Sequence, residues 1–513
     1  MRTESKTAVK NSIGRMIFVV LSVLLQIGWL FILAQWLDGY SDVISVLASV
    51  VAVVLVCRIY SKDINSAMKT PWIIVILLFP IMGICLYCLV GHSDVTRGMR
   101  KRFEKIDATL IERLVQNEDI LNSLDDKDIG IANQVKYIVN YGKYPVYQNT
   151  DVEFYDDALK GIEAQKEELK KAEKFIFMEY HAIEDAESFE SIKGILAGKV
   201  KQGVEVRIFY DDIGSIGFIN HDFIKRMESL GIKCRVFNPL IPFLNIFMNN
   251  RDHRKITVID GKVGFTGGYN LANEYFNITH PYGHWKDTGV KITGDAVKSL
   301  TVMFLEMWNA IKATDESYDR FFPDIEYHSE QCGYIQPYAD SPLDVERVGE
   351  SVYMNIVKNA KRYVYFMTPY LIISDEMSRE FELAAKRGVD VRIITPGIPD
   401  KKLIFEVTRS YYARLAKAGI RIYEYTPGFC HAKQCVCDDE IATVGTINLD
   451  YRSLYLHFEN GVFLYECTAV ENVKNDFDNT FPECNEVTEK YRSGRSAVLR
   501  FGQCALRLIS PLL

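Results

Sequence analysis

One pattern occurs twice in this chain. His253-Arg-Lys255 is followed after four residues by Asp260, and His431-Ala-Lys433 is followed after four residues by Asp438. With Lys and Asp each at roughly one position in twenty, a given His meets H-x-K-x4-D by chance about once in 400. The chain has nine His, so two chance matches have odds of about one in a thousand or less. The flanks agree as well. The first copy runs into Gly264, Gly267, Gly268 and Asn270, and the second into Gly445, Thr446 and Asn448. Two matched His/Lys/Asp sets point to two similar halves that share one active site at their seam.

The order of elements repeats with the motif. In the first half, strands over 174–180, 203–211 and 232–237 alternate with helices over 188–201 and 223–230. In the second, strands over 362–367, 388–394 and 420–425 alternate with helices over 375–386 and 403–417. Gly203-Val-Glu-Val-Arg-Ile and Gly388-Val-Asp-Val-Arg-Ile are the same strand written twice. Alternating strands and helices predict an α/β fold, and the duplication predicts two packed lobes with a pseudo-two-fold axis. The halves differ by about ten residues between Gly231 and His253, where Phe237 to Met248 is apolar and Pro-interrupted. That insertion reads either as a lipid-facing groove or as an ordinary packed loop.

Apolar residues concentrate at the N-terminus. Segments over 16–36, 43–60 and 71–90 predict two to three transmembrane helices, so 1–91 reads as a membrane anchor. The first is too long, and too poorly followed by small residues, for a cleaved signal peptide. Arg2, Lys6, Lys10 and Arg15 precede it and the next loop has no Lys or Arg, which puts the N-terminus in the cytoplasm. Basic clusters at Arg58, Lys62 and Lys69, and again at Arg97 to Arg102, lie inside together only with two spans. These clusters and the scattered Cys favour a cytoplasmic catalytic part of a multi-pass membrane protein. A charged helical connector over 92–135 leads to a first half over 136–325 and a second over 326–490. Residues 491–513 alternate Arg with apolar residues, a basic amphipathic helix for either an anionic membrane surface or the catalytic lobes. The net charge of −7 speaks against nucleic acid as a partner. Cys430, Cys435 and Cys437 crowd the second motif without completing a zinc pattern, so they read as free thiols.

The motif suits a phosphodiester. On a strand, His and Lys two apart face one pocket. Two Lys, here Lys255 and Lys433, supply the positive charge that a metal would otherwise bring, so neither metal nor cofactor is expected. One imidazole can attack phosphorus while the other protonates the departing alkoxide and then deprotonates the incoming alcohol. Asp260 and Asp438 are candidates to orient the imidazoles, each from the half opposite its partner. Asn270 and Asn448 are candidate donors to the non-bridging oxygens. His181 and His457 are further candidates for the pocket.

These residues resemble the phospholipase D superfamily, which is defined by the paired motif, and within it the bacterial cardiolipin synthases. The resemblance rests on the apolar segments with Trp72 and Pro80-x-x-Gly83, on Asn250 to Gly261, and on Thr266 to Leu271. It also rests on Trp285-Lys-Asp287, Thr368-Pro-Tyr370, Gly445 to Ser453 and Ser510 to Leu513. It spans nearly the whole chain. It implies that one phosphatidylglycerol gives its phosphatidyl group to a histidine and releases glycerol, after which a second phosphatidylglycerol attacks to form cardiolipin. It also implies that His253 is the nucleophile and His431 the acid/base. His457 stands where the family usually shows Asn, His181 where an aromatic is usual, and Leu371-Ile-Ile where an aromatic and Pro are usual. These departures bear on the acceptor alcohol. A phospholipase D, or a phosphatidyltransferase using another alcohol, is the alternative. The oligomeric state is not legible.

Overall fold

A computed structural model describes residues 42–91, 96–220, 222–240 and 249–493, with scattered positions within 17–35 and 502–512. The apolar segment over 16–36, most of the apolar insertion and most of the C-terminal basic segment lie outside the described residues. The second apolar segment forms α1 (Asp42–Tyr60). The third does not form one helix. It breaks into α2 (Ser66–Leu78) and α3 (Pro80–Val90), with Phe79 between them at φ −134°, ψ 74°. Pro80 causes the break, because a residue before proline is pushed out of the α region and proline has no N–H to carry a helix on. The two pieces fold back on each other so closely that a Cβ on Gly83 would lie 2.6 Å from the Ile76 Cα. Ile76 and Tyr87 pack there with Ala52 and Ile59 of α1. Among the described residues no helix is long and apolar enough to cross a membrane, so the expected spans over 43–60 and 71–90 are not found there. Instead α1 exposes Val46, Leu47, Val50, Val51, Val53 and Val54 along its length. Asn65 caps α2 and also donates to Tyr455 of the second lobe at 3.2 Å, tying the hairpin to the body.

The charged stretch after the hairpin begins with α4 (Arg97–Leu110), which buries Met99, Phe103, Ile106 and Leu110. Its polar face stays outward, as the 3.6-residue spacing of those four requires. Arg102 Nε donates to the Ala310 carbonyl at 2.9 Å and fixes the helix on the first lobe.

The first lobe contains β1 (Thr150–Tyr155), β2 (Phe175–Tyr180), β3 (Glu205–Asp211), β4 (Lys233–Phe237), β5 (Arg251–Asp252), β6 (Lys255–Ile259), β7 (Val263–Gly267), β8 (His284–Lys286) and β9 (Gly289–Gly294). Seven of these make one sheet in the order β1-β9-β7-β6-β2-β3-β4. The second lobe contains β10 (Tyr334–Asp340), β11 (Tyr363–Met367), β12 (Leu371–Ile372), β13 (Asp390–Pro396), β14 (Arg421–Tyr425), β15 (Gly428–Cys430), β16 (Gln434–Cys437), β17 (Ile441–Gly445), β18 (Leu449–Asp450), β19 (His457–Tyr465) and β20 (Cys484–Glu486). Its sheet runs β10-β19-β17-β16-β11-β13-β14-β20, the same order with one added edge strand. The repeated Val-x-Val-Arg-Ile strands are β3 and β13, parallel to β2 and β11 respectively. All six residues of β2 and all five of β11 are buried, as expected of strands covered by helices on both faces.

Asp260 and Asp438 belong to this framework. Each sits in the tight turn after its motif strand, at φ 52° and 56° respectively, a left-handed conformation that Asp tolerates better than most residues. The Asp260 carboxylate accepts the N–H groups of Glu173, Lys174 and Phe175 at 2.7, 2.7 and 2.8 Å. Asp438 accepts those of Lys361, Arg362 and Tyr363 at 2.6, 2.8 and 2.8 Å. Each carboxylate closes off the start of the neighbouring strand, so neither orients an imidazole. The expectation of a triad through these two residues is corrected. Replacing either Asp with Ala removes three charge-assisted hydrogen bonds and lowers unfolding stability by about 3 kcal/mol or more. Denaturant titration of the detergent-solubilised protein checks this. An unchanged midpoint with lost turnover would return the two residues to the chemistry.

Candidate active site

The two motif histidines are placed by strands that cross from one lobe to the other. β5, just before His253, leaves its own sheet and pairs parallel with β19, setting Arg251 against His457 and Asp252 against Phe458. One step further along the same ladder, His253 comes opposite Glu459, and the His253 N–H donates to the Phe458 carbonyl at 2.9 Å. The second motif does the same in reverse. β15, just before His431, pairs parallel with β8, setting Phe429 against Trp285 and Cys430 against Lys286. His431 then comes opposite Asp287, and its N–H donates to the Lys286 carbonyl at 2.7 Å.

The result is two His–carboxylate pairs, each drawn from both lobes. His253 Nδ1 lies 3.0 Å from Glu459 Oε2, and His431 Nδ1 lies 2.6 Å from Asp287 Oδ2. An ionised carboxylate only accepts, so Nδ1 carries the proton in both rings and Nε2 is left for the cavity. Thr446 and Ser453 hydroxyls each donate to Glu459 at 2.5 Å. Asp287 accepts its neighbour's N–H, from Thr288, at 3.0 Å. Gly268 makes room for it, since a Cβ there would lie 2.0 Å from Asp287 Oδ1. The matching glycines of the two copies, Gly267 and Gly445, let strands approach; a Cβ would meet the Thr288 carbonyl at 2.5 Å and the Asn460 carbonyl at 2.4 Å.

His253 and His431 line one cavity of about 570 Å³ with His181, His457, Asn270, Asn448 and a wall of aromatic rings. Both motif lysines are buried beside it. Lys255 Nζ donates to the His253 carbonyl at 2.5 Å, and Lys433 donates to the His431 carbonyl. Burial, with repulsion from Lys433, pushes Lys255 down to about 7, and burial pushes Lys433 down to about 8. Burial and Lys433, whose Nζ is 2.8 Å from His431 Nδ1, push His431 down to about 3. Burial, Lys255, Lys433 and His431 hold His253 well below its ordinary value. Burial raises the Asp287 carboxyl, but His431 and Lys433 outweigh it and hold that group below its ordinary value. The cavity therefore presents neutral imidazoles beside two lysines whose charge is costly to bury, a charge that a bound anion would stabilise.

Asn270 and Asn448 both reach the cavity but differ in freedom. Asn270 accepts from Ala182 N at 3.0 Å and donates to the Tyr275 hydroxyl at 2.8 Å. Asn448 Oδ1 is buried without a hydrogen-bond partner. His181 Nδ1 lies 2.7 Å from the Asp252 carbonyl, and its ring is edge-on to His253 at 4.9 Å. His253, His457 and Glu459 have potential metal-ligand atoms within 4.8 Å of one another. His253 Nδ1 and Glu459 are already bound to each other and to the two hydroxyls. Asp287 and Glu459 escaped the sequence reading as imidazole partners. The signal was there: Trp285-Lys-Asp287 and His457-Phe-Glu459 occupy equivalent places after the two motifs, each a ring residue followed two later by an acid.

Two buried imidazoles, each tied to a carboxylate and backed by a lysine, are an arrangement that can support attack on a phosphodiester by one ring with proton transfer by the other. Comparison with known proteins agrees. The family described as "Cardiolipin synthase, PLD-like domain" matches residues 166–308 and 353–481, and "Phospholipase_D-nuclease N-terminal" matches 47–92. The chain belongs to the cardiolipin synthase, phospholipase D-like family. A cardiolipin synthase of Halalkalibacterium halodurans is 30% identical over 98% of this chain and 100% of its own length. An uncharacterized protein of Streptococcus mutans is 42% identical over 88% of this chain and 98% of its own. The crystal structure of a phosphatidylserine synthase of Haemophilus influenzae matches with a TM-score of 0.56 at 15% identity, covering 74% of this chain and 100% of that one, a likeness of fold.

The cross-lobe carboxylates carry a direct prediction. Asp287→Asn and Glu459→Gln keep the shape but lose the charge that fixes the imidazole, and each lowers kcat by about 10³-fold or more. Gly268→Ala, which touches no substrate, displaces Asp287 and lowers kcat by about 10- to 100-fold. Steady-state turnover of the purified variants checks both, and a Gly268→Ala enzyme with full activity would show that the Asp287 contact is not needed.

Proposed function

We propose that the protein is a cardiolipin synthase that uses phosphatidylglycerol as both donor and acceptor. The observation that carries this reading is the pair of cross-lobe His–carboxylate units facing one cavity, in a chain of the cardiolipin synthase family. His253 Nε2 attacks the donor phosphorus, forming a P–N bond as the P–O bond to glycerol breaks. His431 gives a proton to the departing glycerol oxygen. A hydroxyl of a second phosphatidylglycerol then gives its proton to His431 and attacks phosphorus, and the P–N bond breaks. Lys255 and Lys433 neutralise the phosphoryl oxygens, with Asn448 and Asn270 beside them, so no step is routed through a metal. Burial, with the lysine charges, holds both imidazoles neutral; the arriving anion counters this and lets His431 hold the proton it must donate.

The lobes are proposed to work at a membrane surface on the cytoplasmic side, with residues 1–91 as the anchor. The exposed valines of α1 support that reading, because a contiguous apolar face has no place in water.

The test is mass spectrometry on purified protein in phosphatidylglycerol vesicles with EDTA and no nucleotide. Cardiolipin and glycerol in equal amounts are expected. Phosphatidic acid as the main product would make the protein a hydrolase, and turnover only after another alcohol is added would make it a different phosphatidyltransferase. His253→Ala and His431→Ala are each expected to lose about 10⁴-fold or more in turnover.

Lysine charge gives a pH dependence. Lys255 and Lys433 lose their protons as pH rises through about 7 and about 8. Headgroup capture is therefore full below this window and weakens above it, so KM rises between pH 7 and 9. Lys255→Arg, which stays charged, flattens the rise. A flat KM across the range would remove the lysines from phosphate binding.

A further inference from the structure

One edge of the cavity holds polar groups that the chemistry above does not use. Arg251 lines the cavity and is 1% exposed. Its Nη1 donates to the Asn238 carbonyl at 2.7 Å and lies 3.7 Å from Asp211. Its Nε and Nη2 are buried with no hydrogen-bond partner. Those two atoms form the flat edge of the guanidinium that grips two oxygens of a phosphate at once. An arginine with that edge bare in a buried place is costly unless something arrives to fill it.

His457 stands next to it. The β5–β19 register sets His457 directly against Arg251, and both residues line the cavity. Both ring nitrogens of His457 are buried and have no hydrogen-bond partner. The nearest carboxylate, Glu459, is 3.6 Å from Nδ1 and is already taken by His253, Thr446 and Ser453. The His457 ring lies 5.6 Å from that of His253. Burial and the Arg452 guanidinium keep it neutral, with a value of about 3. A neutral imidazole has one donor and one acceptor to offer, which suits an alcohol. So Arg251 and His457, set against each other by the β5–β19 ladder, both border the cavity beside one reacting imidazole, and both carry nitrogens that no protein group satisfies.

The reaction supplies an occupant. Donor and acceptor are both phosphodiesters, but the reacting centre holds only the donor phosphorus. The acceptor presents its attacking hydroxyl across a three-carbon glycerol bridge from a second phosphate. Water and free glycerol lack that phosphate. We propose that Arg251 and His457 form the acceptor subsite: Arg251 binds the phosphodiester of the second phosphatidylglycerol, and His457 hydrogen-bonds the hydroxyl of its bridging glycerol. This rests on the cardiolipin synthase reading. The subsite holds the terminal hydroxyl near the phosphatidyl-imidazole, where its oxygen bonds to phosphorus, its proton passes to His431 and the P–N bond breaks. It also gives the site a reason to prefer lipid over water, since only the lipid fills the fork.

The experiment separates the two half-reactions in vesicles of phosphatidylglycerol. Exchange of radiolabelled glycerol into phosphatidylglycerol reports donor attack and its reversal, and needs no second phosphate. Cardiolipin formation needs both. Arg251→Gln is expected to lower cardiolipin formation by about 100-fold while glycerol exchange stays within about threefold of wild type. Arg251→Lys, which keeps the charge but not the fork, falls between. His457→Ala is expected to lower cardiolipin formation by about tenfold and, because free glycerol presents the same attacking hydroxyl, exchange by a similar factor. Retained exchange also reports that an Arg251 variant is folded; if Arg251→Gln does not fold, Arg251→Lys decides. Parallel loss of both activities in a folded Arg251 variant overturns the subsite, as does cardiolipin formation at the wild-type rate. A wild-type enzyme that exchanges glycerol yet makes no cardiolipin overturns the function reading itself, and that is seen without any variant.

Discussion

Everything in the cavity depends on two short parallel strand pairings between the lobes. β5 lies on β19, and β15 lies on β8. In a parallel ladder, paired residues keep step, so the residue after each short strand comes opposite the residue after its partner. That places His253 against Glu459 and His431 against Asp287. Neither lobe holds a complete pair by itself, because each lends its carboxylate to the other's histidine. The backbone bonds from His253 to Phe458 and from His431 to Lys286 extend the ladders to the imidazoles themselves. The position of each ring is thus set by main-chain hydrogen bonding, which is far stiffer than a side chain reaching across an interface.

This arrangement explains why duplication was legible and partnership was not. The repeated motif, the paired Val-x-Val-Arg-Ile strands and the order of helices follow from local periodicity, and periodicity survives in sequence. The two lobes accordingly repeat one strand order. The carboxylate partners follow from a contact between lobes, which local pattern does not encode. Asp260 and Asp438 drew attention because they lie in the motif. Their fixed spacing reflects a turn: the chain reverses after the motif strand, and the carboxylate there reaches three N–H groups of the adjoining strand. A spacing that serves folding and one that serves chemistry look alike in a sequence.

The N-terminal hairpin shows a second limit of pattern. Mean apolarity over 71–90 suffices for a span, and Pro80 and Gly83 near its centre are visible in the sequence. The outcome depended on whether Pro80 would kink a helix or end it. Gly83 decides in favour of ending, because the missing Cβ lets α3 fold back against Ile76 of α2. The hairpin, anchored through Asn65 to Tyr455, then becomes a part of the lobes' surface.

The two pseudo-equivalent sides of the cavity are not alike, and their differences are matched to each other. On the His431 side the carboxylate is the shorter Asp287, and Gly268 stands aside for it. On the His253 side the carboxylate is the longer Glu459, and Thr446, at the position equivalent to Gly268, clamps it with a hydroxyl. Trp285, the counterpart of His457, lies 5.2 Å from His431, and Tyr275 and Phe429 lie 5.3 and 5.8 Å from the same ring. His253 instead has imidazoles for neighbours, His181 at 4.9 Å and His457 at 5.6 Å. Aromatic walls exclude water and hold a proton-transfer group in a fixed place. Imidazoles and a bare guanidinium edge offer hydrogen bonds to something polar that comes and goes. A duplicated fold begins with two equal sides. Here one side is closed with rings and the other left polar, an asymmetry that suits the proposed division of labour between a fixed proton carrier and a side where headgroups exchange.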